Sequence, residues 1–463
     1  MKRRASLHNL GCKVNAYETE AMEQMLVEAG YAIVPEGEEA DVCIINTCSV
    51  TNVADKKSRQ MLHRARAKNP SALVVAAGCY VQAAAKELEK DAAVDIIIGN
   101  NRKKELISIL EEHFRKKEGA GEAYLLDIGA EKEYEELHIS RISQHTRAFV
   151  KVQDGCNQFC SYCIIPYTRG RIRSRKREQV LEEIRKLADT GYREVVLTGI
   201  HLSSYGVERS GQPELLELIR QIHKVEGIQR IRLGSLEPRI ITREFARELK
   251  ALPKVCPHFH LSLQSGCRET LKRMNRHYTP EEYFQSCQYL REAYEHPAIT
   301  TDVIVGFPGE TEEEFARTKE FLARVQFYEM HIFKYSKRKG TRAAQMEGQV
   351  PETVKGKRSE ELFAMEAEMS DGYRRSFLGK ETQVLLEEAI SMGGVSYMTG
   401  YTREYVRMAV SFQALNQLKE AMGQPKEAAA DDEPFWKGRL ISGTGTAMLT
   451  PEMMEFLPEL RKI

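Results

Sequence analysis

Three cysteines crowd into eight residues, Cys156-Asn157-Gln158-Phe159-Cys160-Ser161-Tyr162-Cys163, directly after an apolar segment at 148–153 that reads as a strand. Few folds accept that arrangement. A C-x3-C-x2-C loop at a strand end puts three thiols on one tight turn. Each can bind a separate iron of a cubane, leaving a fourth iron open to a small molecule. Ligands of β/α folds gather beyond the carboxyl ends of their strands, so the position suits a binding site. A zinc knuckle short of its fourth ligand is the bland alternative.

The surroundings read as a β/α block. Strand-like runs at 148–153, 194–198, 229–233, 258–263, 299–305 and 327–333 alternate with helical patterns at 178–190, 213–225, 242–251, 280–294 and 311–325. Six such units predict a partial barrel, since a full eight-unit barrel needs more chain. Before it, Ser6–Leu10, Val42–Ile45, Ala72–Ala77 and Val94–Ile98 read as strands, with helices at 17–29 and 53–68. That alternation predicts a doubly wound parallel sheet, so the chain is expected to be α/β. The expected divisions are 1–113 for this first domain, 114–145 for a linker, 146–375 for the barrel block, 376–446 for a small β domain, and 447–463 for a tail. An acidic, Ala-rich stretch at 423–434 reads as a flexible insertion.

A second cysteine set is dispersed. Cys12, Cys48 and Cys79 each lie just past a predicted strand of the first domain. Adjacent parallel strands would bring the three loops to one sheet edge. The competing reading is three unrelated buried cysteines, as for Cys43 inside its strand and for Cys256, Cys267 and Cys287, which lack cluster spacing.

Charge decides less. Lys+Arg 68 against Asp+Glu 67 leaves the total near neutral, so a nucleic-acid role needs local patches. Two basic runs qualify. One is Arg169, Arg171, Arg173, Arg175, Lys176 and Arg177; the other is Lys56, Lys57, Arg59, Arg64, Arg66 and Lys68. Each is either a solvated face or a phosphate contact. Arg403, Tyr405 and Arg407 alternate as one strand face, which suits RNA stacking and backbone contact or plain solvation. No apolar stretch follows Met1-Lys2-Arg3-Arg4, and no run is long enough for a bilayer. A cytoplasmic protein is expected, with no membrane contact, and its clustered cysteines suit metal or redox chemistry better than disulfides.

The cysteine loop continues as Cys163-Ile164-Ile165-Pro166-Tyr167-Thr168-Arg169-Gly170-Arg171. Together with Leu10-Gly11-Cys12-Lys13-Val14-Asn15, Asn46-Thr47-Cys48-Ser49-Val50-Thr51 and Gly78-Cys79-Tyr80, it resembles the methylthiotransferase family of radical S-adenosylmethionine enzymes. The resemblance implies that Cys156, Cys160 and Cys163 hold a [4Fe–4S] cluster that cleaves S-adenosylmethionine reductively. It implies a second [4Fe–4S] cluster on Cys12, Cys48 and Cys79, which carries the sulfur to be inserted. Gly199, Ser235, Glu237 and Gln264 sit at strand ends that line the S-adenosylmethionine pocket in related enzymes. The carboxyl-terminal β domain resembles the TRAM domain, a small RNA-binding barrel. Arg169, Arg171, Arg173, Arg175, Arg403 and Arg407 are then candidate RNA contacts.

Within the family, Lys13 and Thr51 match the branch acting on threonylcarbamoyladenosine; the isopentenyladenosine branch typically has Gln and Arg there. The implied reaction places a methylthio group on C2 of N6-threonylcarbamoyladenosine at position 37 of tRNA and consumes two S-adenosylmethionine molecules. The implied partners are the tRNA anticodon stem-loop, a flavodoxin- or ferredoxin-type electron donor and a sulfur donor. The alternatives are the same chemistry on isopentenyladenosine or a ribosomal protein, or a non-catalytic, metal-stabilised RNA-binding module.

Overall fold

The computed structural model describes residues 2–116, 122–139, 146–423 and 433–459. Six parallel strands build the first sheet: β1 (Arg4–Asn9), β2 (Ala32–Ile33), β3 (Val42–Thr47), β4 (Leu73–Gly78), β5 (Ile96–Ile98) and β6 (Glu122–Tyr124), in the order β2-β1-β3-β4-β5-β6. The sheet is covered on both faces, and so β3 and β4 are apolar along most of their length and buried throughout. Val42, Ile44 and Val75 meet Met22 and Leu26 of the helix Lys13–Glu28 on one face. Cys43, Ile45 and Val74 meet Leu62 of the helix Asn52–Lys68 on the other. This is the expected doubly wound arrangement.

Two boundaries differ from the sequence reading. The first helix begins at Lys13, directly behind Cys12, because Val14 and Tyr17 already lie on its buried side. The stretch expected to be a linker supplies β6, a short polar edge strand whose register on β5 runs Ile96↔Glu122 to Ile98↔Tyr124. Residues 117–121 and 140–145 of that stretch lie outside the described residues.

The central block contains β7 (Arg147–Asp154), the two-residue β8 (Arg173–Ser174), β9 (Glu194–Gly199), β10 (Arg230–Leu233), β11 (His258–His260), β12 (Ala298–Val305) and β13 (Glu329–Lys334). β7, β9 and β10 pair in parallel, as do β11, β12 and β13. Single parallel bridges, Ile231↔Val255 and Leu236↔Leu261, join the two groups. Six parallel strands thus curve as the expected partial barrel. The helices between them carry strong start signals: Thr279 caps Pro280–Ala293 with a complete capping box on Glu282.

Alternation along these strands separates two environments. Val150, Val195, Ile231, Phe259, Val303 and Ile332 pack outward against helices. The intervening positions, among them Arg147, Glu194, Arg232, His258, Asp302 and His331, occupy the inner face. The lumen is therefore polar and charged.

The long helix Glu352–Arg375 leads into β14 (Glu381–Met392), β15 (Val395–Tyr401), β16 (Arg407–Ser411), β17 (Leu440–Thr450) and β18 (Met453–Pro458), which close into a barrel in the order β14-β15-β16-β18-β17. Of the stretch 447–463, expected to form a tail, residues 447–458 instead contribute the end of β17 and all of β18, whose Met454 and Phe456 are buried in the barrel core, and 460–463 lie outside the described residues. The acidic insertion falls mostly at 424–432, outside the described residues, and Trp436 beyond it is buried.

Arg403, Tyr405 and Arg407 do not share a strand face. β16 starts at Arg407, and the preceding turn puts Tyr405 at φ +74°. Tyr405 stacks on Tyr401 and lies 5.1 Å from the His258 ring, with the guanidinium groups of Arg147 and Arg232 above its face. Arg403 donates to the Val255 carbonyl at 2.8 Å, and Arg407 pairs with Glu388. This segment docks the barrel onto the lower end of the lumen instead of presenting an open RNA-binding face. Among the described residues, no helix is long and apolar enough to cross a membrane.

Candidate metal centres

Cys12, Cys48 and Cys79 follow β1, β3 and β4 directly, and these three strands are neighbours in the sheet. Topology therefore gathers the three loops at one edge. Close approach requires glycine beside two of them. Gly11 has φ +108°, and a Cβ there would meet Cys48 Sγ at 2.8 Å. Gly78 has φ +95°, and a Cβ there would meet the Thr47 carbonyl oxygen at 2.5 Å. Asn15, one turn into the first helix, ties the loops together: its amide donates to the carbonyls of Leu10 at 2.7 Å and Thr47 at 3.0 Å.

Cys156, Cys160 and Cys163 lie on the loop after β7. The chain reverses at Gly155, φ +70°, where a Cβ would sit 1.8 Å from the Arg171 carbonyl oxygen. The loop is braced from a distant segment that sequence reasoning missed. Asn275 donates to the carbonyls of Gln158 and Phe159, Ser161 N–H to the Met274 carbonyl, and Arg276 Nη1 to Cys160 Sγ at 3.3 Å. Nothing local in 273–276 signals that role; only the fold brings it there.

Both trios fit iron chemically. Burial pushes the Cys48 and Cys156 thiols up to about 11 and Cys163 up to about 12. Thiols in such surroundings become thiolates when a bound cation compensates the charge, as iron does. Each trio offers three sulfurs, the donor number that leaves one iron of a [4Fe–4S] cube open.

A cavity of about 210 Å³ runs between the two regions. Val50 and Thr51, just past Cys48, line one side; Tyr162, Cys163 and Ile164 line another; Gln264, Asp302 and Ile304 complete it from the barrel strands. Of the residues expected in the S-adenosylmethionine pocket, Gln264 is there, held at φ +72° between β12 backbone groups. The Glu237 carboxylate acts on Cys156 through its charge and accepts from Arg239 Nε. Gly199 packs against Gln153, which in turn donates to the Gly155 carbonyl and so supports the cysteine loop. Ser235 is exposed and is not among the cavity residues.

The first arginine run corrects the sequence reading. Arg169, Arg173 and Arg175 are at most 1% exposed. Arg169 reaches across the domain boundary: Nη1 to Glu18 at 2.8 Å and Asp154 at 3.1 Å, Nη2 to Asn15 at 2.6 Å, and Nε to Cys79 Sγ at 3.2 Å. Lys103 and Lys151 complete the network on Glu18. Arg175 pairs with Glu136 and Glu183. These side chains cannot neutralise phosphates, because they are buried: acids distant in sequence hold Arg169 and Arg175, and Arg173 donates to the Arg169 carbonyl. Arg171 alone of the four named arginines is exposed, over the Phe159 ring. The second run behaves otherwise: Lys56, Lys57, Arg59, Arg64 and Lys68 are exposed on the helix Asn52–Lys68, while Arg66 pairs with Asp95.

The chain matches the radical SAM superfamily profile over residues 150–322 and the profile described as uncharacterized protein family UPF0004 over residues 4–99. Threonylcarbamoyladenosine tRNA methylthiotransferase MtaB of Bacillus subtilis (strain 168) is 40% identical over 405 residues, 87% of this chain and 89% of that protein. The protein of the same name from Aquifex aeolicus is 39% identical, covering 83% and 93%. The chain belongs to the methylthiotransferase family of radical S-adenosylmethionine enzymes. A tRNA-2-methylthio-N(6)-dimethylallyladenosine synthase of Carboxydothermus hydrogenoformans is also similar, at 38% identity over 81% of this chain and 86% of its own. Among solved structures, the radical S-adenosylmethionine methyltransferase TsrM of Kitasatospora setae shares the fold, with TM-score 0.55, 16% identity, and 72% and 75% of the two chains covered. Membership makes the protein a radical S-adenosylmethionine enzyme that uses a [4Fe–4S] cluster and S-adenosylmethionine. The first profile spans the cysteines after β7 and the second spans Cys12, Cys48 and Cys79; β14–β18 lies beyond both.

Proposed function

We propose that this enzyme is a cytoplasmic tRNA methylthiotransferase that replaces the C2 hydrogen of N6-threonylcarbamoyladenosine, at position 37 beside the anticodon, with a methylthio group. The observation that carries the reading is the pairing of two cysteine trios across one domain contact. Cys156, Cys160 and Cys163 hold one [4Fe–4S] cluster, and Cys12, Cys48 and Cys79 hold the second. The clusters supply one-electron cleavage of S-adenosylmethionine and a site for the sulfur to be transferred, chemistry that an unactivated C2–H bond requires. Two S-adenosylmethionine molecules are consumed, one as the methyl source and one as the radical source. A flavodoxin- or ferredoxin-type donor supplies electrons, and a separate donor supplies sulfur.

The chain's own residues position these parts. Gln264 lines the S-adenosylmethionine side of the cavity, and Glu237, Gly199 and Ser235 stand outside it at the neighbouring barrel strand ends. Arg276 donates to Cys160 and orients that loop. Arg338 donates to Ser49 at 2.7 Å and pairs with Asp55, fixing the Cys48 loop against the barrel. The exposed cations of the helix Asn52–Lys68, together with Arg171 and the half-exposed Tyr167, suit contact with the anticodon stem-loop.

The threonylcarbamoyl substrate is supported by the names of the relatives at 38–40% identity from three bacteria. Nucleoside analysis tests it: tRNA from a strain lacking this enzyme should lose 2-methylthio-N6-threonylcarbamoyladenosine and accumulate the unthiolated nucleoside. Loss of the isopentenyl derivative instead would overturn the choice of substrate.

A further inference from the structure

Beside the cavity, the inner face of the barrel carries a side-chain cluster that neither cysteine loop uses. Parallel register sets it up: His260 of β11 pairs with Thr300 of β12, and Asp302 of β12 pairs with His331 of β13. Residues two apart on a strand share a face, so Thr300 and Asp302 stand in line with both histidines. His260 Nε2 lies 3.2 Å from Asp302 Oδ2. The His331 ring stacks on the His260 ring, with centroids 5.6 Å apart. One ligand atom from each of the three side chains falls within 4.8 Å of the other two.

An ion pair accounts for His260 and Asp302 and leaves His331 over. Two stacked imidazoles repel each other if both carry charge beside a single carboxylate. As neutral imidazoles they are metal ligands, and a carboxylate is a third. The spacing suits that use. Bonds of about 2.1 Å place ligand atoms roughly 3.0–3.4 Å apart around an ion. The His260–Asp302 pair already has that separation, and His331 is exposed, so its side chain has room to close the remaining gap. The Thr300 hydroxyl lies 3.0 Å from His260 Nδ1. With Nδ1–H donated to that hydroxyl, His260 presents its Nε2 lone pair on the Asp302 side, the arrangement that orients histidine ligands.

We propose that His260, Asp302 and His331 form a metal site separate from both cysteine trios, which takes one divalent first-row transition ion such as zinc. Two nitrogens and one carboxylate favour such an ion over magnesium or calcium, which prefer oxygen donors. The site stands whichever nucleoside the enzyme modifies. Three protein ligands leave coordination positions free. Asp302 lines the cavity between the cysteine loops, so an oxygen or nitrogen of a molecule held there can complete the ion's shell.

The test is zinc binding by the reconstituted enzyme, dialysed anaerobically against zinc with excess magnesium present. Elemental analysis should find about one zinc per chain beside an unchanged iron content. X-ray absorption at the zinc edge should show nitrogen and oxygen at about 2.0–2.2 Å and no sulfur at about 2.3 Å. His331→Ala, which alters an exposed side chain, and His260→Ala should each weaken zinc binding by roughly tenfold or more while keeping the iron. A parent enzyme that takes up no zinc overturns the proposal. Sulfur-bound zinc, or zinc that both variants hold as tightly as the parent, overturns it too and assigns the ion to other groups.

Discussion

Arg169 Nε donates to Cys79 Sγ at 3.2 Å, although one residue belongs to the barrel and the other to the first domain. The same guanidinium holds Glu18 and Asp154, and it sits six residues beyond Cys163. It thereby fixes the distance between the two cysteine-bearing edges. Arg169→Ala leaves Glu18 and Asp154 short of a buried partner, and such losses cost about 3–5 kcal/mol. The melting temperature should fall by several degrees in a thermal scan. The salt dependence of tRNA binding should keep its slope, because this arginine never faces solvent.

Gly78→Ala tests whether the first trio depends on glycine geometry. The new methyl would press on the Thr47 carbonyl oxygen at 2.5 Å, in a backbone region that alanine disfavours. Iron bound per chain should drop after anaerobic reconstitution, while 5′-deoxyadenosine formation persists. Full iron content would show that the Cys79 loop tolerates displacement.

Tyr405→Ala removes the ring under Arg147 and Arg232 and its stack on Tyr401. Loss of a packed aromatic ring costs about 3 kcal/mol, and the positive φ gives no relief because alanine keeps a Cβ. Limited proteolysis should release the β14–β18 barrel faster than in the parent protein.

Burial and the charge of Glu23 push the Glu20 carboxyl up to about 8. A carboxyl raised above its unfolded value of about 4.3 binds its proton more tightly in the folded state. Stability is therefore full below the unfolded value and falls as pH rises through 8. Glu20→Gln should flatten that part of the stability profile, so that the variant gains on the parent at pH 9 and not at pH 4, as read by denaturant melts.

The radical-type loop was legible because its information is local: three cysteines in eight residues define a ligand set whatever surrounds them. Cys12, Cys48 and Cys79 were legible only through topology, since each follows a strand and the strands proved adjacent. The arginine run was not legible. A basic segment in sequence gives no sign that Glu18, Glu136 and Glu183 will bury it from elsewhere in the chain. β6 escaped notice because a three-residue polar edge strand lacks an apolar pattern. β17 and β18 escaped because Gly443 and Gly445 allow close strand crossing in a segment that otherwise reads as turns, and the end of the barrel was placed too early. Tyr405 carries its left-handed conformation without glycine, so its turn resembled a strand.

The central claim is that two cysteine trios serve one reaction with divided labour. Its most direct test is iron and product analysis of the reconstituted enzyme beside a Cys12→Ala, Cys48→Ala, Cys79→Ala variant. The parent should bind about eight irons per chain and make methylthiolated nucleoside. The variant should bind about four, still form 5′-deoxyadenosine, and make no methylthiolated product. Unchanged iron in the variant, or loss of 5′-deoxyadenosine from a well-folded variant, would contradict the account.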